Sequence, residues 1–347
     1  MRIWSVTYLF VAALAFASAA GLRAEDTASD SHAWMGRILI AEDPGATLAF
    51  APQPAAVRRM IEKGIASFTS KPNEKAGWLS LVATNDNVGI KVVSASGASG
   101  TRKVVVEAVV QGLLDAGLPS KQIIIWDRRL SDLRQAGFFD MAERFGVRVS
   151  GALEAGYDDK QFYETALLGR LVAGDRDFGK FGEGNGRKSY VSTLVTSNIT
   201  KIINIVPHLN HNLAGVQGCL HSLAMGSVDN ILRFEADPDR LGGAVPEIFA
   251  LEPIADHVVL NIVDALISQY QGEERSLLHY SSALNELWFS KDPVALDVLS
   301  VTELVKQRAE AGAPKLRANL DILSNAAILD LGLADPARFR IERLATK

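Results

Sequence analysis

Apolar residues recur along the chain in two alternating patterns. Arg37-Ile38-Leu39-Ile40-Ala41, Val88-Gly89-Ile90-Lys91-Val92-Val93, Ile123-Ile124-Ile125-Trp126 and Lys201-Ile202-Ile203-Asn204-Ile205-Val206 are short, nearly continuous β-branched runs. Such runs mark strands buried on both faces. Residues 258–264 and Leu287-Trp288-Phe289 read the same way, and Val147-Arg148-Val149 adds a further short strand. Between the runs, apolar positions fall at helical spacing. Val57, Met60, Ile61, Ile65 and Phe68 follow Pro54, while Val105, Ala108, Val109, Gly112, Leu113 and Ala116 lead to Gly117, where a helix stop belongs. Further helices are predicted over 213–225 and 319–329, and one starts at Asp292-Pro293, where Asp caps open N–H groups and Pro suits the first turn. Strands alternating with helices predict an α/β fold with a mostly parallel sheet, helices on both faces and Rossmann-like layering. It forms a single domain over 37–347. Within it, residues 174–186 carry Gly174, Gly179, Gly182, Gly184 and Gly186, a mobile loop that serves as a lid or as plain connection.

The first residues follow a different logic. Met1-Arg2 precedes an apolar run over 3–16 and the small residues Ala17-Ser18-Ala19-Ala20-Gly21, the layout of a secretory signal peptide cleaved after Ala19 or Ala24. Residues 3–20 are just long enough to span a bilayer, so an uncleaved anchor is the alternative. Export by the general route predicts a periplasmic or secreted bacterial protein with no membrane span after cleavage. Residues 25–36 are expected to be a disordered lead-in. Composition is ordinary for a globular chain, 48% apolar and 22% charged, so a sizeable core can form without staples. A net charge of −4, moved to −6 by loss of Arg2 and Arg23, excludes broad nucleic-acid binding. Cys219 stands alone, which excludes an intrachain disulfide and a cysteine-ligated iron–sulfur cluster.

In parallel sheets, ligands bind outside the carboxyl ends of the strands. Lys91, Asp127, His208 to His211, Asp264 and Ser290 to Asp292 fall at such ends. The loop with Gly97 and Gly100 runs through Thr101 into a helix, whose N–H groups and dipole favour an anion. A plain connecting turn explains that loop equally well, because it matches neither phosphate-binding fingerprint. Lys91, in an otherwise apolar strand, needs an anion or an Asp partner. His208, His211 and His221 lie within fourteen residues, and their convergence would give a divalent-metal site, although the spacing matches no zinc signature. Asp127, Asp264 and Asp292 offer carboxylates for acid–base work or metal ligation. Asp292 also reads as a helix cap, Asp297 suits a helix dipole, and Cys219 reads as core packing.

Four segments together resemble the domain-of-unknown-function 362 family: Val88-Gly89-Ile90-Lys91; Ile203-Asn204-Ile205-Val206-Pro207-His208-Leu209-Asn210-His211-Asn212-Leu213-Ala214-Gly215-Val216; Leu260-Asn261-Ile262-Val263-Asp264-Ala265-Leu266; and Ser290-Lys291-Asp292-Pro293-Val294-Ala295-Leu296-Asp297. Leu331-Gly332-Leu333 also fits. The resemblance implies an α/β domain, often exported, without a settled activity. It points to Lys91, Asn204, His211, Asp264, Asp292 and Asp297 as the polar positions of interest. The chain departs from the family pattern at Asn210, His221-Ser222, Ala265 and Glu273. Two readings follow. The first is an enzyme on a small anionic molecule, held by Lys91, Gly97, Gly100, Thr101, Asn204 and Asp127, with His211, Asp264 and Asp292 doing acid–base or metal-assisted work. The second is a binding protein that uses the same cleft without turnover.

Overall fold

The computed structural model describes residues 34–95 and 97–347. The expected signal peptide and nearly all of the lead-in lie outside them. Residues 35–347 form one compact unit. In chain order the strands are β1 (Arg37–Glu42), β2 (Thr47–Leu48), β3 (Ala51–Pro52), β4 (Val88–Lys91), β5 (Ile123–Asp127), β6 (Arg148–Gly151) and β7 (Tyr157–Glu164). They continue as β8 (Lys188–Ser192), β9 (Lys201–His211), β10 (Gly215–Val216), β11 (Val258–Gln269), β12 (Ser281–Ser290) and β13 (Arg340–Ala345). The main sheet runs β13-β1-β12-β11-β9-β4-β5-β6, with β10 added to the end of β9. Strand pairs from β11 through β9, β4 and β5 to β6 are parallel; β12 runs antiparallel to both β1 and β11.

Alternation along the buried strands divides the core between the two faces of the sheet. Ile123 and Ile125 pack with helices Pro54–Phe68 and Lys103–Ala116. Ile124 and Trp126 pack on the other face, with helices Cys219–Ser227 and Pro238–Phe249. The α/β architecture with helices on both faces is therefore the one the pattern predicts.

Boundaries differ where local rules meet tertiary ones. β9 runs through Pro207 to His211 instead of ending in a turn at Val206. β4 stops opposite Asn204, so beyond that point β9 is an edge on that side and a residue without an N–H is tolerated. The helix expected over 213–225 covers only Cys219–Ser227. Before it, Gly215 takes φ +90° and the chain doubles back as β10 against His211. β13 and the antiparallel β7–β8 pair were not foreseen in the pattern. The glycine-rich segment joins β7 to β8, held by Asp175, which accepts from the Val172 and Asn230 N–H groups, and by Asp229, which accepts from Arg176 and Tyr190.

Asp292 shows how helix starts are fixed. Its carboxylate caps helix Pro293–Glu310 by accepting from the Ala295 N–H at 2.8 Å, and also accepts from Gly36 at 2.7 Å and Leu333 at 3.0 Å. It is fully buried and joins segments from both ends of the described chain. Loss of an ordinary N-cap costs about 1 kcal/mol. Asp292→Ala strands three N–H groups at once, so urea denaturation is expected to show a loss of roughly 3 kcal/mol or more.

Candidate functional site

Neighbouring strands β4 and β9 lead in opposite directions, β4 towards β5 and β6, β9 towards β11 and β12. Their connections also use opposite faces, which makes the gap beyond their carboxyl ends a topological switch point. A cleft of about 560 Å³ opens there. Its walls come from the ends of β4, β5 and β9, from helix Cys219–Ser227 and from the segments around Glu235 and Glu274.

Lys91 closes the floor. Its Nζ lies 2.9 Å from Asp127 Oδ1 and donates to Val92 O at 2.7 Å and Ser222 Oγ at 3.1 Å, so all three of its protons are used. Gly226 makes room for it, since a Cβ there would lie 2.4 Å from Lys91 Cε. Asp127 in turn accepts from the Ser94 N–H and Oγ and from the Arg128 N–H. Burial alone would raise the Asp127 carboxyl; Lys91 and Ser94 outweigh it and hold the group below its ordinary value.

On the adjoining wall, His211 and His221 pack against each other, with ring centroids 4.4 Å apart and planes tilted by 43°. His211 Nδ1 accepts from the Ala214 N–H at 3.0 Å and the Leu213 N–H at 3.3 Å. Backbone N–H groups only donate, so the neutral ring carries its proton on Nε2. Burial lowers the pKa of His211, with Glu273 opposing. Burial also pushes His221 well below the usual imidazole range, helped by His211 and Lys91. His221 is only 5% exposed, and neither ring nitrogen has a hydrogen-bond partner among the described residues. Met225, Ile231 and Val93 supply an apolar side to the cleft.

The other residues singled out from sequence do not join this cleft. His208 lies three residues before His211 in the same strand, so its side chain projects to the opposite face. Its Nδ1 is 2.6 Å from Ser268 Oγ, its ring packs edge-on against Trp288, and burial drives its pKa to about 3. The three histidines do not converge, and among the described residues no group of three or more His, Cys, Asp or Glu could hold a metal. The residues present do not fit the divalent metal considered from sequence.

Asp264 is fully buried, paired with Arg102 at 3.0 Å, and accepts from the Arg102 N–H at the start of helix Lys103–Ala116. The carboxylate of the protein itself thus occupies the helix start expected to take an anion. Gly97 lies in a short 3-10 turn, and Gly100 is required because a Cβ there would lie 2.0 Å from Ala95 O. Thr101 is a strand clamp, its Oγ1 accepting from the Val93 N–H and donating to Ile205 O. Asn204 Nδ2 donates to Cys219 O and Asn261 Oδ1 inside the core. Asp297 accepts from the Cys219 and Leu220 N–H groups and so starts the helix that carries His221 and Ser222; burial raises its carboxyl to about 7. No residue of 174–186 lines the cleft. Sequence reasoning missed Ser222, Arg128, Glu235 and Glu274. Only Arg128, next to Asp127 at a strand end, carried a signal.

The depressed Asp127 pKa sets a pH prediction. A lowered folded-state value contributes stability that is complete above the unfolded carboxylate pKa of about 4 and is lost as pH falls through the folded value. Asp127→Asn is therefore expected to flatten the acid limb of the stability curve below about pH 4, and to lower stability at neutral pH by roughly 3–5 kcal/mol because Lys91 stays buried without its partner. An unchanged acid limb would contradict the pairing. No family model matches the chain, and no curated protein matches it. Among solved structures, a crystal structure of a protein from Thermotoga maritima is similar at 12% identity and a TM-score of 0.36 over 61% of this chain, which spans 50% of that one.

Proposed function

We propose that this chain binds a small polar molecule in the cleft between the ends of β4 and β9, with His221 as its principal hydrogen-bonding contact. The observation that carries the reading is the His221 ring, buried in the wall of the cleft with both nitrogens unpartnered by the described residues. A buried polar group left unpaired costs about 1–3 kcal/mol, a penalty that a ligand offering a donor and an acceptor removes. The position at a switch point, the cleft volume and the mixed polar and apolar lining support the same reading. The resemblance to the domain-of-unknown-function 362 family adds Lys91 and His211, both in the cleft; its other polar positions serve the framework. We place the protein outside the cytoplasm, on the strength of its N-terminal sequence.

A second reading, proton transfer on the bound molecule, is favoured by two groups. His211 is neutral with its proton fixed on Nε2, which makes it a donor. The Glu235 carboxyl is raised by burial, against the pull of Arg128 and with a further push from Glu274. A neutral imidazole and a carboxyl of raised pKa in one cleft are suited to general acid–base work.

His221→Leu tests the binding reading without knowledge of the ligand. A histidine that serves the core would be lost at a cost in stability. A histidine held for a ligand is a local liability, so the unliganded variant is expected to be about 1 kcal/mol more stable than the natural chain by urea denaturation. A variant less stable than the natural chain would overturn the proposal.

A further inference from the structure

The charges around the cleft are unequally committed. Lys91 is spent on Asp127, Val92 and Ser222. Arg128 is the other cation in the lining, and it forms no ion pair among the described residues. Against these stand Asp127, Asp132, Glu235 and Glu274. Asp127 is neutralised by Lys91, whereas the side chains of Glu235 and Glu274 make no hydrogen bond or ion pair among the described residues. Glu235 is half-buried and Glu274 is exposed at the mouth. Both carboxyls are raised, first by burial; Arg128 pulls Glu235 down while Glu274 pushes it up, and Asp127, Glu273 and Asp132 push Glu274 up. The imidazoles are neutral and return no positive charge. Together with the unpartnered His221 ring behind them, these groups give a site with a surplus of negative charge at its entrance and an unmet hydrogen bond on its wall.

We propose that the ligand of this cleft carries a protonated amine, held by Glu235 and Glu274 while the rest of the molecule contacts His221. This rests on the binding reading above and adds the charge class of the ligand. The groups that the sequence offered for an anion are used elsewhere: Asp264 takes the helix start and Asp127 takes Lys91. A ligand that also bears a carboxylate can be met by Arg128. A bare anion would have to pass two uncommitted carboxylates, a like-charge contact that costs affinity.

The test uses three probes built on one isopentyl unit: isopentylammonium, with an amine alone, leucine, with an amine and a carboxylate, and 4-methylpentanoate, with a carboxylate alone. Each is titrated into the full chain while the ring signals of His211 and His221 are followed by NMR, assigned with His211→Ala and His221→Leu. Isopentylammonium and leucine are expected to shift the His221 signal saturably, and 4-methylpentanoate to leave it in place. Glu235→Gln is expected to weaken the amine probes by about tenfold. Its folded stability should not fall, because the Glu235 side chain makes no hydrogen bond that would be lost and a buried charge is removed. Tighter binding of 4-methylpentanoate, or unchanged amine affinity in Glu235→Gln, overturns the charge assignment and leaves the cleft reading intact. If no probe moves either ring, the charge assignment also fails. The cleft reading is then judged separately, by the stability of His221→Leu.

Discussion

A helix that starts inside a protein exposes N–H groups that water cannot reach, and each must find an acceptor. In this chain the acceptors are buried aspartates, two supplied from elsewhere in the sequence and one from the helix's own N-cap. Asp264 serves the start of helix Lys103–Ala116, Asp297 the start of helix Cys219–Ser227, and Asp292 the start of helix Pro293–Glu310. The sheet, the helices on its two faces and the cleft between them depend on these joints. Asp297 sets where the helix bearing His221 and Ser222 begins, and Asp264 joins β11 to the segment that follows β4.

One consequence is that the most buried acids are not the chemically available ones. Asp264 and Asp292 would be expensive to release, since each holds backbone groups that would otherwise be stranded. What remains open to a ligand is the wall formed by His211 and His221 and the rim formed by Arg128, Glu235 and Glu274. Lys91 contributes through its fixed pairing with Asp127, which closes the floor and adds its positive charge next to His221. Together with desolvation, that charge keeps the imidazole neutral.

Much of the fold was legible in the sequence because β4, β5, β9 and β11 are buried on both faces and therefore spell out continuous apolar runs. β13 was not, since Arg340-Ile341-Glu342-Arg343 mixes charged and apolar residues on an exposed edge. The site was partly legible. Strand ends pointed to Lys91, Asp127 and His211, but sequence does not reveal which acids are already spent on helix starts. The histidine cluster failed for a specific reason. Pro207 suggested that the strand had ended, yet β9 continues to His211, and in a strand a separation of three puts His208 and His211 on opposite faces. Glu235 and Glu274 lie in segments without strand or helix periodicity, so nothing in the local pattern marks them.

A neutral, desolvated imidazole pair stands in the cleft wall. The most direct measurement is NMR titration of the ring nitrogens of His211 and His221 over about pH 5 to 8, the range in which an ordinary histidine changes charge. His221 is expected to stay neutral throughout, and neutral His211 to be the Nε2–H tautomer, titrating below the ordinary value. A His221 midpoint near 6.5, or a neutral His211 ring protonated on Nδ1, would contradict this arrangement of the cleft wall.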